Sequence, residues 1–187
     1  MARKYTDIVF TDSVKEAQAH FGSRATAAKV AAWEIDDEHL SNDDATFISE
    51  RDSFYMATVN EDGWPYVQFR GGPRGFLKVL DDRTLAYADF RGNKQYISTG
   101  NLRHDDRVSL FFMDYPNRRR LKLMARTEVF DAVDRSDLLA QLEDQDYAAR
   151  IERVVLFHVV AFDWNCPQHI TPRFTEEELA ASEGDRS

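Results

Sequence analysis

Residues 64–78 read W-P-Y-V-Q-F-R-G-G-P-R-G-F-L-K, residues 88–102 read A-D-F-R-G-N-K-Q-Y-I-S-T-G-N-L, and residues 111–123 read F-F-M-D-Y-P-N-R-R-R-L-K-L. Each stretch joins a strand-like run to glycine or proline and to basic side chains. Short apolar runs broken by turn residues, without long helical segments between them, describe an antiparallel sheet rather than a doubly wound one. Arg70, Arg74, Lys78, Arg91, Lys94, Arg118, Arg119, Arg120 and Lys122 all fall in this third of a chain whose net charge is -9. A fold that brings these segments together makes an anion site on an acidic protein.

Working outward, the pattern predicts strands over 53–59, 65–70, 75–80, 84–89, 107–114, 118–133 and 154–164. Asn60-Glu61-Asp62-Gly63 reads as a hairpin turn, and Pro65 fits only the start of its strand. Six or seven antiparallel strands in about 110 residues imply a small closed or nearly closed barrel. Helices are expected at its margins. Residues 11–33 carry an approximate apolar stripe interrupted by Gly22, with Thr11 or Asp12 as cap. Asp43 or Asp44 is expected to cap a short helix over 45–51, and Asp134 one that runs to about Leu142. Residues 94–102 form a short helix or turn. Thr175 with Glu178 makes a capping box for a C-terminal helix.

The bulk properties narrow the function classes. The 187 residues suit one domain, with a helical extension over about 1–46 and a C-terminal segment from about 164 to 187. The 13 Phe, 7 Tyr and 3 Trp are enough to fill a core and still face a planar ligand. The acidic balance argues against nucleic acid. No apolar run is long enough for a membrane span. The single Cys166 excludes an intrachain disulfide and fits a reducing compartment, so a cytoplasmic protein is expected. The five histidines show no metal-ligand spacing, so no metal is expected. There is no G-x-G-x-x-G and no Walker A sequence.

Among candidate site residues, Arg91-Gly92-Asn93-Lys94 follows a strand and precedes a helix start. Backbone N–H groups there favour an anion, Lys94 adds charge, Asn93 an amide, and Ser98 and Thr99 hydroxyls. The Gly71-Gly72-Pro73 bend, flanked by Arg70 and Lys78, is either a phosphate approach or a bulged barrel corner. In Arg118-Arg119-Arg120 the alternation turns the middle residue away from the outer two, and part of the triplet should meet solvent or acids such as Asp114. Residues 164–173, W-N-C-P-Q-H-I-T-P-R, form a proline-stiffened polar loop suited to a planar heterocycle.

Together the strings R-D-S-F-Y at 51–55, 62–81, 90–102, 114–122 and 164–173 resemble the FMN-binding split-barrel flavoproteins related to pyridoxamine 5'-phosphate oxidase. The resemblance covers 47–131 and 154–174. It implies a mainly β split barrel with FMN at a homodimer interface and an FMN-dependent oxidoreductase acting on an unidentified small-molecule redox substrate. A flavin or haem carrier without turnover is the alternative. By similarity Asn93 and Lys94 match the phosphate-binding pair, with Asn93 standing where the vitamin B6 enzyme carries arginine. Ser98 matches a hydroxyl position, Arg70 and Lys78 the basic residues of the second strand, and Gln68 a ring-edge contact. Gln168, His169 and Arg173 resemble a segment that lies against the flavin from the partner subunit. No side chain is assigned as a catalytic acid or base.

Overall fold

The computed structural model describes residues 3–184, with side chains to residue 180. Seven strands, β1 (Ser53–Val59), β2 (Pro65–Gly71), β3 (Leu77–Val79), β4 (Thr84–Phe90), β5 (Arg107–Asp114), β6 (Arg119–Asp131) and β7 (Ile151–Trp164), form one antiparallel sheet in the order β2-β1-β5-β6-β7-β4-β3. The sheet curls on itself. Phe54 of β1 packs its ring 5.6 Å from Tyr87 of β4, although three strands separate them in the hydrogen-bonded order. The same ring meets Phe76, Phe112 and Phe157 at 5.7, 5.6 and 6.1 Å. Alternation explains this core, because every second residue of β1 and β5 is buried. Burial of each such aromatic contributes on the order of 2 kcal/mol. Among the described residues no ladder joins β2 to β3, so the barrel is split there.

The described residues form seven helices besides the sheet: α1 (Lys4–Val9), α2 (Asp12–His20), α3 (Arg24–Ala31), α4 (Asn42–Ser49), α5 (Ile97–His104), α6 (Ser136–Leu142) and α7 (Glu176–Gly184). The expected helix over 11–33 is two, α2 and α3, because Gly22 adopts φ 76° between them. Thr11 caps α2 through its side chain, as expected. The cap of α4 lies earlier than expected. Ser41 is the N-cap and Asp44 the third helical residue of a capping box, since the Ser41 hydroxyl reaches the Asp44 amide at 3.2 Å and the carboxylate returns to the Ser41 amide at 2.9 Å. Asp134 does not cap α6. It closes a 3-10 turn, and α6 starts two residues later with no side-chain cap. The Thr175–Glu178 box forms.

Each helix that packs does so through a small apolar patch. Phe47 and Ile48 of α4 enter the main core. Leu138 and Leu142 of α6 cover Ala86, Ala88, Val154 and Leu156 on the outer face of β4 and β7. Asp37 accepts the amides of Lys4 and Tyr5 at 2.9 and 3.1 Å, and Arg3 bridges to Asp163, which holds α1 against β7. No residue of α2 or α3 is buried. No helix among the described residues is long and apolar enough to cross a membrane.

Candidate functional site

At the split the inner wall loses its strand partner, and the residue types change there. Arg70, Gln68 and Tyr66 of β2 stand opposite Phe54, Met56 and Thr58 of β1, so all three share the inward face with core residues. They line a cleft of about 170 Å³. Across it lies Asp89 at the end of β4, only 4% exposed. Its carboxylate accepts hydrogen bonds from Arg153 Nε at 2.8 Å and Arg70 Nη1 at 3.4 Å, and Arg153 Nη2 stands in ion-pair contact at 2.7 Å. The Tyr66 hydroxyl donates to Gln68 Oε1 at 2.5 Å.

The third wall is the loop into α5. Lys94 and Tyr96 both adopt left-handed backbone, φ 61° and 54°, where a non-glycine residue is strained. The loop thereby turns sharply enough to aim the first turn of α5 into the cleft. No side chain caps that turn. Its amides and the buried Ser98 lie beside the side chains of Asn93 and Lys94. Unpaired amides at a helix start carry partial positive charge. Behind α5, the Asn101 amide donates to Thr58 Oγ1 at 2.9 Å and anchors the helix on β1.

A register shift supplies the fourth wall. Asp89 pairs with Arg153 and Phe90 with Ile151, which leaves Glu152 as the extra residue of a bulge. Two consecutive β7 residues therefore serve the same region. Glu152 accepts from the Tyr96 hydroxyl at 3.3 Å and pairs with Arg91 at 3.6 Å. Arg153 lies 5.1 Å from the Tyr96 ring centroid. Burial pulls the Arg153 pKa down, but its hydrogen bond to Asp89 and the nearby negative charges outweigh that and hold it above the ordinary value. Three cations, Arg70, Lys94 and Arg153, and one carboxylate, Asp89, line this cleft. The excess is positive on a chain whose total is -9.

The cleft thus gathers Gln68, Arg70, Asn93, Lys94 and Ser98. It does not include Lys78, Gln168, His169 or Arg173. Lys78 is exposed between Leu77, which is in the core, and Val79 on β3, so alternation turns it to the outer face. Gln168 and His169 are exposed, and Arg173 lies over the Tyr115 ring at 5.0 Å. The glycine bend is a barrel corner. A Cβ at Gly72 would sit 2.7 Å from the Phe76 ring, and one at Gly75 2.9 Å from the Ser49 carbonyl, so these glycines make room for protein. Arg118 sits in the turn with φ 52°, Arg119 stacks on Phe47 and Trp164, and Asp114 faces Arg51 rather than the triplet. Tyr66, Asp89, Arg153 and Tyr96 are the site residues that the sequence reading missed. A carboxylate closing the apolar run T-L-A-Y-A-D was the signal for Asp89. Arg153 fell just outside the strand expected over 154–164, which begins at Ile151, and the bulge that adds Glu152 has no local sequence signal.

Comparison with known proteins agrees with this architecture. A crystal structure from Lactobacillus delbrueckii, described as a candidate pyridoxamine 5'-phosphate oxidase, is 23% identical with a TM-score of 0.52, covering 69% of this chain and 97% of that one. HupZ from Group A Streptococcus is 14% identical with a TM-score of 0.51, covering 72% and 99%. At these identities the likeness speaks for the fold alone. No curated protein matches the chain. The model of one family, described as pyridoxamine 5'-phosphate oxidase, matches residues 40–164, from just before α4 to the end of β7. That span holds the whole split barrel and every residue of the cleft, and the chain belongs to the pyridoxamine 5'-phosphate oxidase family of split-barrel proteins.

Proposed function

We propose that the chain binds FMN in this cleft and acts as an FMN-dependent oxidoreductase on a small-molecule substrate. One observation carries the reading: an uncapped helix start, a left-handed lysine and the guanidinium of Arg70 converge on one cleft. Charge-assisted donors gathered in this way suit a phosphate. The donor set fits a phosphomonoester. Lys94, Asn93, Ser98, the α5 amides and Arg70 would hold the phosphate, and Gln68 and Tyr66 would line the way toward the ring. FMN supplies hydride or single-electron chemistry when bound, and the chain supplies placement and electrostatics.

The same proposal includes a homodimer. Tyr55, Val59, Val67 and Phe69 are exposed on the outer face of β1 and β2. Tyr55 contacts Phe69 edge-on at 5.7 Å and interacts with Tyr115, over which Arg173 lies. Arg173 therefore lies beside this apolar face. In the proposed dimer the segment with Gln168, His169 and Arg173 lines the cleft of the second copy.

Fluorescence titration of wild type and Lys94→Ala with FMN and with riboflavin tests the site. Loss of a charge-assisted hydrogen bond should weaken FMN by roughly ten- to a hundredfold and leave riboflavin nearly unchanged. Equal losses for both flavins would take Lys94 off the phosphate. Anaerobic stopped-flow mixing of the FMN-loaded protein with NADH, NADPH and reduced deazaflavin tests turnover, and bleaching of the flavin by one of them is expected.

A further inference from the structure

We propose that Asp89 is a positioning residue that clamps Arg70 and Arg153 across the split of the barrel, so that the cleft offers a fixed pair of guanidinium groups to a phosphomonoester. This rests on the FMN reading of the cleft and adds two residues to it. The two arginines come from strands at different places in the sheet, β2 at one edge and β7 in the interior. Nothing in the backbone ladder ties β2 to β4 or β7. The Asp89 carboxylate does, with Arg153 at 2.7 and 2.8 Å and Arg70 at 3.4 Å.

The contacts divide the labour. Arg153 donates from Nε to Asp89 Oδ2, keeps Nη2 in ion-pair contact with the same oxygen, and turns Nη1 toward Glu152 at 3.3 Å. Arg70 gives Asp89 only Nη1. Asp89 thus fixes the direction of Arg70 while leaving its other terminal nitrogen, Nη2, outside the clamp. Arg153 also packs against the ring of Tyr96, the left-handed residue that opens α5. The clamp therefore orients both the Arg70 donor and the helix start that faces the same cleft. Two guanidinium groups this close repel each other, and the carboxylate between them offsets that repulsion.

The sign of one substitution separates positioning from charge. Asp89→Asn keeps the shape and removes a negative charge from the cleft. If cleft charge alone mattered, FMN would bind more tightly. If Asp89 positions the arginines, FMN binding should weaken by about tenfold or more while riboflavin affinity changes by less than about twofold. Arg153→Lys keeps the charge without the guanidinium and should fall between wild type and Arg153→Ala for FMN alone. These two variants also carry the test should Asp89→Asn not fold. FMN binding by Asp89→Asn at or above the wild-type strength, or equal loss of both flavins across the variants, overturns the proposal and leaves the cofactor reading standing. Failure of wild type itself to bind FMN would remove both.

Discussion

Lys94 holds φ 61° with an exposed side chain that makes no ion pair among the described residues. Left-handed backbone costs an L-residue about 1–2 kcal/mol. No ion pair among the described residues offsets it, whereas a ligand charge in the cleft would. Lys94→Gly should therefore raise the stability of the cofactor-free protein, by up to about 1 kcal/mol, and at the same time weaken FMN. Urea unfolding midpoints without cofactor measure the first effect and flavin titration the second. A variant less stable than wild type would show that the lysine conformation is not strained. At this scale the sequence was legible where the signal is local. Asn93, Lys94 and Ser98 stand within six residues of one helix start. Asp89 and Arg153 were not legible, because their hydrogen bond spans 64 positions and joins two strands far apart in the sequence.

The elements were read best where alternation is clean. β1 and β5 fall at the expected limits, since each buries every second side chain. The ends of helices were read less well. Asp43 or Asp44 was the expected cap, yet Ser41 takes that place, while Asp44 serves at the third position and also accepts Trp164 Nε1 at 2.8 Å, a contact made 120 residues away. The glycine bend had two readings, and packing chose between them. Gly75 adopts φ 76°, donates its amide to the Arg51 carbonyl at 2.9 Å, and has no room for a Cβ beneath Ser49. It thus sets how closely α4 sits over the barrel mouth. Gly75→Ala should destabilise the protein by more than about 1 kcal/mol. Gly92→Ala has open space and no left-handed requirement, so it should stay within about 0.5 kcal/mol of wild type. Equilibrium urea unfolding of the pair decides it, and equal stabilities would mean that α4 yields freely to the added methyl.

Across the whole molecule, an acidic chain concentrates its cationic excess at the opening of its barrel and leaves an apolar strip on the barrel's outer wall. Val67 is 61% exposed and Phe69 54%, on a strand whose other face lines the cleft. One strand therefore serves two surfaces, the inner one polar and the outer one apolar. An exposed strip of this kind on an edge strand invites association, and the proposed dimer places its two-fold axis through it. Val67→Asp tests this arrangement with little risk to the fold, because the side chain is outside both core clusters. A carboxylate placed in the middle of a self-complementary apolar interface would meet its own copy and would be desolvated without a partner. Sedimentation velocity at micromolar concentration should show wild type as a dimer and Val67→Asp as a monomer with an unchanged circular dichroism spectrum. FMN affinity should fall with the loss of the dimer, since the ring would lose the walls contributed by the second copy. A wild-type monomer with FMN bound, or a Val67→Asp dimer, would place the interface elsewhere and return Gln168, His169 and Arg173 to a role within their own chain.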